Sequence, residues 1–262
     1  MKRIIFLSLL AANLFFIAPV FASLKTSVIL AVPKEKSVPI LVYHSIAPAP
    51  LAGHESGTQK HYRIDPAVFE SELKYLKDNG YTTISFFKYS EHFASGMAIP
   101  DKSVVLTFDD GWQTQYDNAL PILKKYGDTA TFFIYTKVIN PKHRTFMSWP
   151  EVLELDKAGM EVASHSISHP MLTKIIDIEK LRTEIAGSKK ILEDKLGKKV
   201  NTFAYPFYMY NSKVSLEIKK AGYISARAGW KKMKNSKDEI YTLGAMEAIN
   251  DLKNFAVILK QP

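Results

Sequence analysis

Val104-Val105-Leu106-Thr107-Phe108-Asp109-Asp110-Gly111-Trp112 is an apolar run that ends abruptly in two adjacent carboxylates and a glycine. It reads as a buried strand that delivers charged groups to a turn at its end. Two buried acids side by side repel each other and lose hydration, so one would neutralise unless a cation sits beside them. On its own the triplet fits a solvated surface turn equally well. A second stretch decides between the two readings.

That stretch is Ser164-His165-Ser166-Ile167-Ser168-His169-Pro170. Met160 to Ala163 reads as another short strand, so His165 again falls at a strand end. If the segment is helical, histidines four residues apart share one face and their imidazoles converge on one ion. With Asp110 as third ligand they form a two-histidine, one-carboxylate site that leaves positions open for water and substrate, as a catalytic metal requires.

These two motifs, followed by Phe203-Ala204-Tyr205-Pro206-Phe207, resemble the polysaccharide deacetylase family, also called carbohydrate esterase family 4 or the NodB-homology domain. Within it the chain is most similar to the poly-N-acetylglucosamine deacetylase branch, over residues 37 to 245. Asp-Asp-Gly followed by His-x-x-x-His is specific in a way that neither motif is alone. The resemblance implies an α/β fold, a distorted (β/α)7 barrel with its site at the strand C-terminal ends.

It also implies roles. Asp110, His165 and His169 would hold one divalent ion, zinc by default from ligand type, with nickel, cobalt or iron also suited. Such an ion lowers the pKa of a water and polarises the acetyl carbonyl. Asp109 matches the family's catalytic base. Pro206-Phe207-Tyr208 matches its third motif, in which the backbone N–H of Phe207 would help hold the oxyanion. Read from the residues themselves, Tyr205, Pro206, Tyr208, Arg227 and Trp230 are the candidate sugar-binding groups, and Tyr205, Phe207, Tyr208 and Tyr210 form either a sugar-stacking wall or an aromatic turn packed on the core.

Three departures stand out. The arginine two residues before the third-motif proline is replaced by Ala204. Arg227-Ala228-Gly229-Trp230 stands where the fourth motif would be, and Arg227 either orients Asp109 or is an ordinary surface arginine. The fifth motif lacks its histidine at Leu243-Gly244-Ala245-Met246, and no histidine follows His169. His44, at the end of the apolar strand Val38 to Tyr43, is the leading substitute as general acid; the alternative is a hydrogen-bonded histidine that shapes the rim.

The remaining chain sets the context. Residues 1–22, with Lys2 and Arg3, a long apolar run and Val20-Phe21-Ala22, read as a signal peptide, or as an uncleaved membrane anchor. Residues 23–36 read as a tether and 37–262 as the catalytic domain. Export to the periplasm or the cell exterior follows as an expectation. No cysteine is present, so neither a disulfide nor a cysteine-linked lipid is available. A formal charge of +9 suits an anionic envelope surface. Nucleic acid is an unsuitable partner for an exported chain without a nucleic-acid-binding motif, and no protein partner is inferred.

Strand and helix signals alternate along the chain. Helices are expected from Pro66 to before Gly80, from Lys88 to Ala94, Gln115 to Tyr126, Trp149 to Ala158, Ile178 to Leu196 and Val214 to Ala221, implying a parallel sheet covered by helices. Function is expected to be metal-dependent N-deacetylation of an amino-sugar glycan. A low-activity glycan-binding module and an O-acetyl or lipid-sugar deacylase are the alternatives.

Overall fold

The computed structural model describes residues 36–49, 62–139, 145–229 and 234–260. The expected signal peptide, nearly all of the expected tether, residues 50–61, Trp230 and Lys231-Lys232 lie outside the described residues. Among those described, no helix is long and apolar enough to cross a membrane.

Among the described residues ten short strands carry the architecture: β1 (Ile40–Tyr43), β2 (Ser45–Ile46), β3 (Arg63–Ile64), β4 (Thr82–Thr83), β5 (Ser103–Asp109), β6 (Thr131–Ile134), β7 (Glu161–Ser164), β8 (Thr202–Ala204), β9 (Ser225–Arg227) and β10 (Met246–Glu247). β2 and β3 pair with each other; the others form one parallel sheet in the order β10-β1-β5-β6-β7-β8-β9, with β4 added beside β5. A parallel bridge joins Arg227 of β9 to Leu243, three residues before β10. The segment leading into β10 therefore touches β9 while β10 itself pairs with β1, and the sheet curls round on itself as the family's barrel does.

Among the described residues eight helices connect and cover the strands: α1 (Pro66–Asp78), α2 (Phe86–Ser95), α3 (Leu120–Tyr126), α4 (Trp149–Lys157), α5 (Ile178–Arg182), α6 (Ser188–Leu196), α7 (Ser212–Lys220) and α8 (Leu252–Leu259). α1 begins as its sequence dictates, with Asp65 accepting from the Ala67 N–H and Pro66 in the first turn. α2 begins two residues earlier than its apolar spacing indicates, because the Ser85 hydroxyl caps the Lys88 N–H. The helix expected over 115–126 opens as a wide π-type turn, Gln115–Ala119, and a second such turn, Thr183–Gly187, separates α5 from α6.

Strand periodicity sorts the side chains into two cores. Leu41, Val104, Leu106, Phe108, Phe132, Ile134, Val162 and Phe203 face the helices. Ile40, Val42, Val105, Phe133, Ala163, Ala204, Leu243 and Ala245 fill the inside, where Phe86, Tyr89 and Phe93 of α2 plug one end. Each fully buried Val, Leu, Ile or Phe side chain among these contributes roughly 1.5–3 kcal/mol. The plug is anchored by the Phe86 N–H on Thr131 Oγ1 and by the Ser90 and Ser225 hydroxyls, 2.6 Å apart.

The inward alternation continues past the apolar layers. After Ile40 and Val42 the next inward position is His44. After Val105 and Thr107 it is Asp109, after Ala163 it is His165, after Ser225 it is Arg227, and after Leu243 and Ala245 it is Glu247. The strand C-terminal ends thus exchange apolar for ionisable side chains in a single layer.

Candidate active site

Asp109, the last residue of β5, is buried on the inner face, and Asp110 takes a left-handed turn with φ 79°. That reversal turns the second carboxylate away from strand periodicity, and Gly111, at φ 82°, completes it. Trp112 then donates its indole N–H to Asp110 Oδ2 at 3.0 Å, so Oδ1 points elsewhere. Gln115 donates to the carbonyls of both Asp109 and His44, tying together the ends of β5 and β1.

His165 and His169 do converge, though not through a helix. Residues 165–170 form a loop with Ser166 at φ 69° and His169 at φ 57°, the His169 N–H being held by Ser166 Oγ. The two Nε2 atoms are 3.1 Å apart, and Asp110 Oδ1 lies 3.7 Å from His165 Nε2 and 3.4 Å from His169 Nε2. One potential ligand atom from each of the three residues falls within 4.8 Å of the others. A shared ion with bonds of ~2.0–2.2 Å spaces its ligand atoms about 3.0–3.5 Å apart, so the donor set fits a divalent cation.

The orientation of each donor agrees with that fit. His165 Nδ1 donates to Ala204 O at 2.8 Å, which directs the lone pair to Nε2. Burial holds the His165 pKa down at about 4, so the imidazole is neutral at physiological pH and able to ligate.

Arg227 is fully buried and places Nη2 2.5 Å from Asp109 Oδ2. Its guanidinium lies over the rings of Phe133 and Tyr208, with centroid distances of 5.2 and 5.3 Å. Burial works to raise the Asp109 pKa, but the charges of Arg227, His165 and His44 outweigh it, and the carboxyl sits below its usual value. Asp109 Oδ1 is buried without a hydrogen-bond partner among the described residues. An ionised oxygen with a free lone pair is what a proton acceptor needs.

His44 reaches the same layer and pairs through Nδ1 with Glu247 Oε1 at 2.9 Å; Tyr208 donates its hydroxyl to Glu247 Oε2 at 2.5 Å. Burial opposes protonation of His44, yet Glu247, Asp109 and Asp110 together raise its pKa to about 9. Glu247 escaped the sequence reading. Its only signal is that Leu243 to Glu247, like Val105 to Asp109, is an inward alternation that ends in a carboxylate.

Around the third motif, Tyr208 and Met209 spend their N–H groups inside the turn, on Tyr205 O and Pro206 O. Among the described residues no hydrogen bond from the Phe207 N–H is seen inside this turn. Phe207 has φ 56°, is half exposed and sets its ring, tilted by 59°, at a centroid distance of 4.6 Å from that of His169. Tyr205 and Pro206, expected among the sugar-binding groups, are buried, and the Tyr205 hydroxyl is bonded to Ser215 and to Tyr241 O. They support the turn from below and leave Phe207 and Tyr210 as its exposed rings. Arg227 likewise contacts Asp109 from within the interior and offers nothing to the surface.

Comparison with known proteins settles the family. A model described as polysaccharide deacetylase matches residues 97–226. The poly-beta-1,6-N-acetyl-D-glucosamine N-deacetylase of Staphylococcus aureus (strain MRSA252) is 31% identical over 208 residues, covering 72% of this chain and 71% of its own length. This chain belongs to the polysaccharide deacetylase family. It is also 32% identical over 198 residues to the YxkH protein of Bacillus subtilis, covering 76% of this chain and 66% of that relative, about two thirds of its length.

Solved deacetylase structures share the fold. A polysaccharide deacetylase from Bacillus cereus superposes with a TM-score of 0.74 at 30% identity, covering 86% of this chain and 70% of the other. The Streptococcus pyogenes deacetylase PplD in complex with acetate gives 0.78 at 24% identity, covering 86% of this chain and 98% of that one. At that lower identity the likeness concerns the fold alone.

Proposed function

We propose that this deacetylase-family chain is a metal-dependent hydrolase that removes N-acetyl groups from the amino sugars of an exported or cell-envelope polysaccharide of poly-N-acetylglucosamine type. The observation that carries the reading is the convergence of Asp110 Oδ1, His165 Nε2 and His169 Nε2 with the unpaired Asp109 Oδ1 nearby in the same layer. The substrate class is supported by the Staphylococcus aureus relative, and the leader-like residues 1–22 support action outside the cytoplasm.

A divalent ion on Asp110, His165 and His169, zinc by default, supplies Lewis acidity toward the acetyl carbonyl and toward water. The chain's own groups manage the protons. Arg227 fixes Oδ2 and favours the ionised carboxylate before reaction, and Asp109 Oδ1 then takes a proton from the attacking water. The Phe207 N–H donates to the carbonyl oxygen as it gains charge. When the carbon–nitrogen bond breaks, His44, protonated at neutral pH and braced by Glu247, gives its proton to the departing nitrogen. Water is consumed, and acetate and a free amine are released.

Acetate release from N-acetylglucosamine oligomers by the metal-loaded chain tests the proposal, with an O-acetylated sugar run in parallel. Release from the N-acetyl substrate that disappears with Asp109→Asn is the expected result. Release from the O-acetyl substrate alone replaces the proposal with an esterase.

A further inference from the structure

The ion-ligating loop has a partner outside the site. Glu184, in the wide turn Thr183–Gly187, accepts the backbone N–H groups of Ile167 and Ser168 on Oε2, at 3.0 and 2.9 Å, and the Ser168 hydroxyl on Oε1 at 2.6 Å. These residues lie between His165 and His169, so one carboxylate spans the middle of the segment that carries both imidazoles. On its other side the loop is held by the Thr136 N–H on Ser166 O and the Lys137 N–H on Ile167 O.

The same stretch of helix touches the loop twice more. A Cβ at Gly187 would come within 2.8 Å of Ile167 Cδ1, so only a residue lacking that atom allows this approach without a shift. Ser188 at the start of α6 meets the Ser164 hydroxyl at 2.7 Å, just before His165. A wide turn of this kind is rare in helices and concentrates where a helix serves a site.

The loop needs such bracing. Two of its non-glycine residues, Ser166 and His169, occupy left-handed backbone conformations, which an unsupported chain leaves readily. His169 is a ligand, and Ser166 donates nothing to the ion itself.

We propose that Glu184 is a positioning residue for the metal: it locks the His165–His169 loop in the conformation in which both imidazoles face Asp110. The proposal rests on the reading of Asp110, His165 and His169 as metal ligands. Its action is through hydrogen bonds to the loop backbone and not through charge at the ion.

The test is zinc affinity, measured on the purified full-length chain by competition with a chromogenic chelator, beside the thermal midpoint of the metal-free protein. Loss of an outer partner that orients a ligand typically costs ~10- to 100-fold in affinity, and that loss is expected for Glu184→Ala. Glu184→Gln keeps an oxygen for the two N–H groups and should recover most of it. Ser168→Ala, which removes one of three bonds, should fall between Glu184→Ala and wild type. A Glu184→Ala protein with wild-type zinc affinity overturns the proposal, as does Glu184→Gln losing as much as Glu184→Ala, since charge would then be the cause. If Glu184→Ala does not fold, Glu184→Asp, one methylene too short to span the loop, takes its place with the same two outcomes. A wild-type chain that binds zinc no better than His165→Ala overturns the metal reading itself.

Discussion

Arg227 and Asp109 approach to 2.5 Å inside the barrel, with side chains 0% and 2% exposed. They come from β9 and β5, 118 positions apart in the chain. The family's usual arginine position is Ala204, whose carbonyl instead receives His165 Nδ1. The buried cation beside Asp109 is thus supplied by the end of β9.

Replacing Arg227 by alanine leaves a buried carboxylate without its cation. A change of this kind typically costs roughly 3–5 kcal/mol of stability, and a fall in the thermal midpoint checks it. Arg227 is among the groups that hold the Asp109 pKa down against burial, so without it that pKa rises. Activity needs the ionised form, and the acid limb of the pH–rate profile moves to higher pH in Arg227→Ala. An unmoved limb removes Asp109 from the role of base.

His44→Ala should lower turnover by ~10²- to 10⁴-fold, the usual worth of a general acid, while zinc content stays at the wild-type level. His44 must carry a proton to act, so the rate falls as pH rises through about 9. Glu247→Gln keeps an acceptor for His44 Nδ1 but takes away the negative charge that helps to overcome burial, and the alkaline limb then moves to lower pH. A pH series on wild type and Glu247→Gln measures the displacement.

Gly229 packs beneath Tyr208 so closely that a Cβ there would lie 2.2 Å from Tyr208 Cδ1. In Gly229→Ala the ring must leave its place over Arg227 and beside Glu247. Overpacking of this kind costs about 1–3 kcal/mol. Turnover on N-acetylglucosamine oligomers should drop by on the order of tenfold as Glu247, the partner of His44, loses the Tyr208 hydroxyl, and a kinetic comparison with Tyr208→Phe shows how much of the loss is the hydroxyl.

Glu72, on α1 and away from the site, is buried, and desolvation raises its pKa to about 8, against the hydrogen bond donated by Tyr43. The folded state therefore prefers the protonated acid. Its contribution to stability is fully present below the unfolded pKa of about 4.3 and is lost as pH rises through about 8. Glu72→Gln removes that dependence, so the variant should gain on wild type by on the order of a few kcal/mol between pH 5 and pH 9. Thermal melts at the two pH values decide the matter.

The parallel α/β fold, both strand-end motifs and the helix from Pro66 were legible because each depends on local chemistry. Apolar alternation marks a strand, a cap and a glycine mark helix ends, and adjacent carboxylates at a strand end announce themselves. Tertiary structure alone decided that His165 and His169 meet across a loop with two left-handed residues, since their four-residue spacing pointed equally to a helical face. It likewise decided that Arg227 serves Asp109, that Glu247 charges His44 and that Tyr205 is a support. Each of these is a pairing between residues far apart in the chain, chosen by where the curling of the sheet brings two strand ends together, and no local pattern records which ends those will be.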